Sequence, residues 1–318
     1  MHFDVFNGDA DGIIALIQLR LAEPKKSTLI TGVKRDISLV KRVDLTQASS
    51  VTVLDVSMEK NTDALVEVLA HHIPTFYVDH HRTGVIPTSE HLTTIVDTDA
   101  NTCTSLLVNQ HLGGQFAHWA VAAAYGDNMN VAATALATEL GLTKEQQEQL
   151  KALGIYINYN GYGEVIDDLH YPPAVLFELL LAYENPLDLI ADKHSVFYAL
   201  ARAYQQDMQH VEQAQVLADE LACKVIALPN EAWAKRVSGV LGNDLANQSP
   251  AKAHAVLTEN EDGSYRVSLR APLENKQGAD AICVQFPTGG GRAAAAGINY
   301  LPAELVATFI NTVKEYYS

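Results

Sequence analysis

Four short apolar runs alternate with helical patterns in the first third of the chain, and this alternation constrains the fold most strongly. The runs are HFDVF, STLITGV, SVTVLDVS and IPTFYVD, and they are rich in Val, Ile, Phe and Thr. Such runs are typical of strands that are buried on both faces of a parallel sheet. The intervening segments DGIIALIQLRLA and EKNTDALVEVLAHH carry apolar residues at helical spacing. The pattern predicts a parallel α/β domain with right-handed crossovers.

The rest of the chain changes character twice. Strand signals vanish from about residue 101 to residue 223, where TKEQQEQLKALGIYI, PAVLFELLLAY and VFYALARAYQQDMQHVEQAQVLADELA have helical periodicity. Further on, KVIALP predicts a strand and AHAVLTENEDGSYRVSLRAP predicts a hairpin that turns at Asp262 and Gly263. We therefore expect an α/β domain over residues 1–128, a helical region and connector over 129–222, and a smaller C-terminal α/β domain over 223–318.

The charge balance narrows the range of partners. Among 318 residues, 38 are acidic and 22 are basic, which gives a formal net charge of −16. Proteins that grip long nucleic acid by its phosphates usually present a basic surface. We therefore expect no long nucleic acid as a partner, and either a small substrate or a site whose negative charge is offset by metal ions.

The sequence offers no signal for a membrane or for export. No apolar run approaches the roughly 20 residues that span a bilayer, and the N-terminus lacks a secretory signal pattern. Cys103, Cys223 and Cys283 show neither zinc nor disulfide spacing, and buried thiols are the simpler interpretation. These features predict a cytoplasmic protein without a membrane partner, and they leave its oligomeric state open.

Acidic residues follow the predicted strands at the edge where parallel α/β proteins bind ligands. The loop NGDADG, the strand ends VLDVS and VDHH, and the later YGDN supply Asp9, Asp11, Asp55, Asp79, His80, His81 and Asp127. Without cations, such a cluster would repel itself and raise the pKa of some carboxyls. Two divalent ions roughly 3.5–4 Å apart would relieve the repulsion and form a clamp for phosphoryl chemistry. Mixed carboxylate and imidazole ligands suit Mn²⁺, which we predict.

Each motif alone also has a purely structural interpretation. DAD is typical of a turn or a helix N-cap, a strand-end carboxylate such as Asp55 can cap the following helix, and GGGRAAAAG can be a tight turn that leads into a packed element. Only the joint pattern, with its order and its strand-end positions, is specific for a site.

The ordered motifs NGDADG, VLDVS, VDHH and YGDN resemble those of the DHH phosphoesterase family. PTGGGRAAAAGIN, preceded by VSLRAP, resembles the signature of its nucleotide-binding DHH-associated domain. The resemblance spans nearly the whole chain. It implies a Rossmann-like N-terminal DHH domain, a helical connector and a smaller C-terminal α/β domain that binds substrate.

The resemblance also implies roles for single residues. Asp9 and Asp55 would bind one metal ion, and Asp55 would bridge to a second ion. The ligands of the second ion would be Asp11, Asp55, His80 and Asp127. A water between the ions would be the nucleophile, with Asp55, His80 and His81 as catalytic residues. His81 would contact the scissile phosphate, while Asp79 would orient a histidine.

Substrate-binding residues are implied in the C-terminal domain. The glycine backbone would approach the substrate, and the arginines would hold phosphate or base. These residues are Arg270, Gly289, Gly290, Gly291 and Arg292. Two departures from the family pattern stand out: Asn7 lies where many relatives have a histidine, and Arg292 follows the glycines where a histidine is frequent. Asn7 would be a weaker metal ligand than imidazole.

The function predicted from this resemblance is hydrolysis of short linear nucleotides, such as the dinucleotides pGpG or pApA, to 5′-mononucleotides by a Mn²⁺-dependent phosphodiesterase. The alternatives are a single-strand 5′ exonuclease similar to RecJ, a cyclic-dinucleotide phosphodiesterase, a bisphosphate nucleotidase, and a binding module that senses a nucleotide without cutting it. An exonuclease would favour a basic groove with aromatic platforms, which the acidic excess and 7% aromatic content do not suggest.

Overall fold

The N-terminal half is built on the parallel sheet that the apolar runs predict. In the computed structural model, which describes residues 1–99 and 101–318, its strands are β1 (His2–Phe6), β2 (Ser27–Ile30), β3 (Ser50–Leu54), β4 (Thr75–Asp79) and β5 (Leu92–Val96). Their order is β2-β1-β3-β4-β5, and every neighbouring pair is parallel. The fifth strand, β5, was not among the predicted strands.

Side chains alternate between the two faces of this sheet, and a core covers each face. Phe3 and Val5 of β1 join one cluster of buried residues with Val53. Phe6 and Leu54 belong to the other cluster, which is formed largely by helices. Because both faces are covered, the strands carry the near-continuous apolar runs seen in the sequence.

The helices of this unit lie between and after the strands. They are α1 (Ala10–Ala22), α2 (Met58–Ala70), α3 (Thr104–His111), α4 (Ala117–Gly126), α5 (Asn130–Glu139), α6 (Lys144–Gly161), α7 (Pro173–Leu181), α8 (Pro186–Ala191) and α9 (Val196–Val211), with short 3₁₀ turns at Val40–Arg42 and Ile166–Asp168. No helix in the described part of the chain is both long enough and apolar enough to cross a membrane.

A second unit carries a mixed sheet. Its elements are β6 (Gln215–Asp219), β7 (Cys223–Leu228), α10 (Ala232–Gln248), β8 (Ala253–Glu259), β9 (Tyr265–Arg270), α11 (Ala279–Cys283), β10 (Gly289–Gly291), β11 (Ala295–Leu301), a 3₁₀ turn at Ala303–Leu305 and α12 (Val306–Tyr317). The strand order is β10-β11-β9-β8-β7-β6, and the predicted hairpin is the β8–β9 pair. The predicted α/β class with a second, smaller α/β domain is confirmed.

One secondary-structure prediction was wrong. The helical pattern over residues 196–222 predicted a single helix, but α9 ends at Val211 and Gln215–Asp219 forms β6. β6 is an edge strand that pairs with β7 in the antiparallel direction. The pairing partner, rather than the local periodicity, therefore decides its conformation.

The chain divides into two compact units, residues 1–203 and 204–318, and the boundary lies within α9. The three-part division at residues 128 and 222 stays a prediction. All three cysteines are buried.

A buried ion pair joins β1 to α1. Asp4 is fully buried, and Arg20 donates from Nε to Asp4 Oδ2 at 2.9 Å and from Nη2 to Oδ1 at 2.6 Å. Ser27 donates a further hydrogen bond to Oδ2 at 2.6 Å. Burial by itself would raise the pKa of Asp4, but the bonds from Arg20 and His2 lower it to about 2.

Replacement of Arg20 by Met is expected to lower the free energy of unfolding by about 3–5 kcal/mol, because it leaves a buried carboxylate without its partner. Chemical denaturation measures the change. Lys25→Met is the control, since Lys25 forms only a surface pair with Glu23 and should cost less than about 1 kcal/mol. Equal losses in the two variants would contradict the assignment.

The same pair predicts a pH dependence. The folded-state pKa of Asp4 is about 2, below the ordinary 3.8, so the pair stabilises the fold above the ordinary pKa. This contribution is lost as pH falls through about 2. The stability difference between wild type and Arg20→Met should therefore shrink in acid.

Candidate metal centre

The predicted acidic residues and the histidine pair meet at the carboxyl edge of the parallel sheet. β3 lies between β1 and β4, and the strand order reverses at β1 and β3, which is where α/β sheets bind ligands. Asp127 reaches the same cluster from the C-terminal end of α4, and its charge acts on Asp11. The structure thus brings together Asp9, Asp11, Asp55, Asp79, His80, His81 and Asp127.

His80 presents a ring nitrogen to two carboxylates. Its Nδ1 lies 3.0 Å from the carbonyl oxygen of Thr102, which can only accept, so Nδ1 is the donor. In the neutral ring, Nε2 then carries the lone pair, and it lies 3.5 Å from Asp55 Oδ1 and 3.9 Å from Asp11 Oδ2. A backbone hydrogen bond that fixes the other nitrogen is typical of metal-ligating histidines.

His81 has a different environment from His80. Its Nδ1 donates to Asp79 Oδ1 at 2.7 Å, and the side chain is 32% exposed, whereas that of His80 is 3% exposed. Burial by itself lowers the pKa of His81, but the bond to Asp79 and the charge of Asp55 outweigh it and raise that pKa. The histidine that Asp79 orients is therefore His81, whose partly exposed ring has a raised pKa.

Asp9 and Asp11 are helix caps as well as members of the cluster. Asp9 Oδ1 accepts from the N–H groups of Asp11 and Gly12 at the start of α1. The two oxygens of Asp11 accept from Thr104 N at 2.8 Å and Ser105 N at 2.7 Å at the start of α3. Helix N-termini stabilise negative charge, so the two aspartates of DAD can cap helices and belong to the acidic cluster at the same time.

Asp55 is the carboxylate of the cluster whose negative charge is least well offset by its neighbours. Its φ of +56° lies in the left-handed region, which Asp tolerates better than most residues and which is frequent at functional sites. The described hydrogen bond to its side chain comes from the Thr104 hydroxyl at 3.3 Å. Burial, followed by the charges of Asp9 and Asp11, raises the pKa of Asp55 well above its usual value.

A lysine that the sequence analysis missed also lies in the cluster. Lys34 Nζ lies 2.5 Å from Asp9 Oδ2, 3.1 Å from Asn158 Oδ1 and 3.6 Å from Asp127 Oδ1. Burial alone would lower the pKa of Lys34, but the charges of Asp9 and Asp127 raise it well above its usual value. Lys34 follows β2, so inspection of every strand end for charge of either sign could have found it.

Asn7, predicted as a weak metal ligand, contacts the segment that carries Lys34. Its Nδ2 donates to the carbonyl oxygen of Lys34 at 3.1 Å. Its Oδ1 is buried and finds no hydrogen-bond partner among the described residues. A metal role for Asn7 stays a prediction.

The donors beside His80 fit a divalent cation. Ligand atoms of Asp55, His80 and His81 lie within 4.8 Å of one another, and Asp127 Oδ2 is buried without a hydrogen-bond partner in the described part of the chain. Carboxylate oxygens and an imidazole nitrogen suit Mn²⁺. Beside Asp9 the fit differs, because its Oδ1 accepts from the backbone and its Oδ2 accepts from Lys34.

The predicted substrate-binding arginines lie in the second unit near one end of its sheet. Arg270 Nε donates to Asn243 Oδ1 at 2.7 Å, and Nη1 donates to Ser268 Oγ at 3.1 Å, so its guanidinium is held in place. Arg292 is exposed in the turn that joins β10 to β11, and Ala295 after that turn pairs with Arg270. Sequence reasoning missed Asn243.

The three glycines of β10 are not equivalent. A Cβ at Gly289 would lie 1.7 Å from the Cys283 carbonyl oxygen, and one at Gly291 would lie 2.5 Å from Ala296 Cα. A Cβ at Gly290 would meet nothing within 4 Å. Packing of the unit itself therefore requires Gly289 and Gly291, whereas a Cβ at Gly290 would enter open space.

Comparison with known proteins identifies the fold. No family model matches the chain, and no curated protein does. A DHH domain from a member of the s1p family of ribosomal proteins aligns over 99% of this chain and 86% of its own, with a TM-score of 0.64 and 12% identity. The exonuclease RecJ bound to manganese aligns over 99% and 90%, with a TM-score of 0.61 and 15% identity.

A third solved structure is the pGpG-specific phosphodiesterase PggH from Vibrio cholerae. It aligns over 100% of this chain and 99% of its own, with a TM-score of 0.57 and 12% identity. The chain therefore has the fold of DHH-domain proteins across both units.

Mn²⁺ is expected to stabilise the folded chain. At a free concentration a hundred times the dissociation constant, binding to the folded state alone adds about 2.7 kcal/mol. His80→Ala should lose this gain, and His71→Ala should keep it, because His71 is exposed and its described side-chain contact is with the Glu67 carbonyl oxygen. Thermal melts with Mn²⁺ and with chelator measure the effect. A Mn²⁺ shift that survives in His80→Ala would contradict the assignment.

Asp55→Asn should raise the melting temperature of the metal-free protein and reduce the stabilisation that Mn²⁺ provides. The raised pKa of Asp55 means that the metal-free fold loses stability as pH rises from the ordinary value through the raised one. The neutral amide removes that penalty, so the metal-free variant should melt higher than wild type at pH 7. The same variant should gain less from Mn²⁺. A lower melting temperature without metal would overturn this account.

Proposed function

We propose that the chain is a metal-dependent phosphodiesterase that hydrolyses short linear nucleotides, dinucleotides such as pGpG, to 5′-mononucleotides in the cytoplasm. The observation that carries the proposal is the arrangement at the ends of β3 and β4. There, His80 Nε2 faces Asp11 and Asp55, while His81 is partly exposed and bonded to Asp79. This arrangement combines a place for a divalent ion with a group that can contact a phosphate.

A divalent ion beside His80, with Mn²⁺ as the ion proposed, would lower the pKa of a bound water and offset the charge of a phosphate group. The residues of the chain prepare this chemistry. Thr102 orients His80, and the N-terminus of α3 orients Asp11. Asp79 orients His81 and favours its cationic form, so His81 can donate a hydrogen bond to a phosphate oxygen.

Two further observations support a short substrate. The formal net charge of −16 does not favour a long polyanion. The pGpG-specific phosphodiesterase PggH matches this fold over nearly its entire length. RecJ has the same fold, so a single-strand exonuclease is the alternative that the experiment must separate.

In the second unit, we propose that Arg270, Arg292 and the backbone near Gly290 bind the nucleotide. The contacts of Arg270 with Asn243 and Ser268 support the proposal, because they hold the guanidinium before any ligand arrives. Arg292 is exposed, and its fork of donors suits a phosphate or a guanine edge.

The test is hydrolysis of linear oligonucleotides from two to about ten residues long, together with cyclic dinucleotides, in Mn²⁺. We expect the highest kcat/KM on dinucleotides. Asp55→Ala should lower it by more than about a hundredfold, since even residues that only support metal ligands cost 10–100-fold. Rates that rise with length would favour the exonuclease, and tight binding without turnover would favour a nucleotide sensor.

Arg292→Ala should raise KM for a dinucleotide about tenfold and leave kcat nearly unchanged, because a hydrogen bond to a charged group contributes about 1.5–3 kcal/mol. Lys276→Ala is the matched control, an exposed cation of the same unit outside the Gly-rich segment. A fall in kcat at unchanged KM would refute the binding role of Arg292.

A further inference from the structure

The ammonium group of Lys34 donates two hydrogen bonds within the cluster, to Asp9 and Asn158, and forms an ion pair with Asp127. Three acceptors lie around Nζ, namely Asp9 Oδ2 at 2.5 Å, Asn158 Oδ1 at 3.1 Å and Asp127 Oδ1 at 3.6 Å. An ammonium has three N–H donors. The ring of Tyr162 lies 5.3 Å from Nζ and adds a cation–π contact. The side chain is 23% exposed, so the charge is largely removed from water.

The backbone of Lys34 is anchored as firmly as its side chain. Its N–H donates to the Gly161 carbonyl oxygen at 2.9 Å, and its carbonyl oxygen accepts from Asn7 Nδ2 at 3.1 Å. A Cβ at Gly161 would lie 2.9 Å from the Gly8 carbonyl oxygen, so the end of α6 packs directly on the loop after β1. The position of Lys34 at this edge of the sheet is therefore fixed by its backbone as well as by its side chain.

This lysine occupies the place that a metal ion bound to Asp9 would take. Metal–carboxylate bonds are about 2.0–2.2 Å long, and Nζ already lies 2.5 Å from Asp9 Oδ2. The other oxygen of Asp9 accepts two backbone N–H groups. Two unit positive charges 4 Å apart repel by about 4 kcal/mol near a protein surface, and a divalent ion would double that figure.

The cluster therefore has two distinct sides. On one side, His80 Nε2 faces Asp11 and Asp55, His81 Nδ1 lies 3.7 Å from Asp55 Oδ1, and no lysine contact to Asp55 is described. On the other side, Asp9, Asn158 and the Oδ1 of Asp127 surround Lys34. Asp127 directs one oxygen to the lysine, and its second oxygen is buried and unpartnered in the described part of the chain.

We propose that Lys34 replaces one of the two predicted metal ions, so that the chain holds a single divalent ion beside His80 and supplies its second positive charge from the ammonium group. This inference rests on the proposed function, because it assigns a cation arrangement to that same site. It assigns one ion and one lysine where the sequence analysis predicts a pair of Mn²⁺ ions, and the experiment below decides between the two arrangements.

The experiment counts Mn²⁺ bound per chain in wild type, Lys34→Met and Lys41→Met by equilibrium dialysis with elemental analysis. Lys41 is an exposed lysine of the same stretch of chain and serves as the control. We expect one ion in wild type, one in Lys41→Met and two in Lys34→Met, since Met has nearly the length of Lys without its charge. Electron paramagnetic resonance should show an isolated Mn²⁺ sextet for wild type and a spin-coupled spectrum for Lys34→Met.

Two ions in wild type would overturn the proposal, whatever the variants show. One ion in both wild type and Lys34→Met would also overturn it, because Lys34 would then not exclude a second ion. If Lys34→Met fails to fold, the number of Mn²⁺ ions bound per wild-type chain and the wild-type resonance spectrum still decide between one ion and two. Both readouts are independent of turnover, so a chain that binds one ion but hydrolyses no nucleotide would refute the proposed function and leave this inference standing.

Discussion

The concentration of buried negative charge at one edge of the parallel sheet is the constraint on which the rest of the site depends. Parallel strands end at the same edge, so residues that follow β1, β3 and β4 are forced together. Asp9 and Asp11 are compensated by helix N-termini, and Asp79 by His81. The described hydrogen bond to the Asp55 side chain comes from a hydroxyl, and burial with the charges of Asp9 and Asp11 raises the pKa of Asp55 well above its usual value. The unbalanced charge thus lies at Asp55, where His80 directs a free ring nitrogen.

Much of this arrangement follows from local sequence patterns and one topological rule. Apolar runs such as SVTVLDVS mark strands with both faces covered, and the rule that ligands bind beyond the carboxyl ends of strands selects Asp55 and the VDHH residues. The adjacency of β3 to both β1 and β4 is a tertiary property that no periodicity contains. Asp127 was predictable as a member through the family resemblance, since it follows a helix rather than a strand.

The features that escaped prediction have identifiable physical causes. β6 is an edge strand of mixed polarity, and its conformation depends on pairing with β7. Asn158 lies inside α6, where a single polar residue does not stand out from a helical pattern. Lys34 was missed because the search considered only side chains that bind metal. A cluster of carboxylates also attracts protein cations, so a lysine near a strand end is evidence about the same site.

Asn7 and Lys34 form one connected unit beside the loop that follows β1. A histidine near position 7 would offer a metal ion a neutral nitrogen donor. Asn7 instead turns its amide N–H toward the Lys34 carbonyl oxygen, an interaction that fixes the lysine. Asn7 thus contacts the same residue whose ammonium group lies beside Asp9. The ammonium group is covalently part of the chain, so the positive charge beside Asp9 does not depend on the metal concentration. In the proposed arrangement, only the ion beside His80 would exchange with solvent.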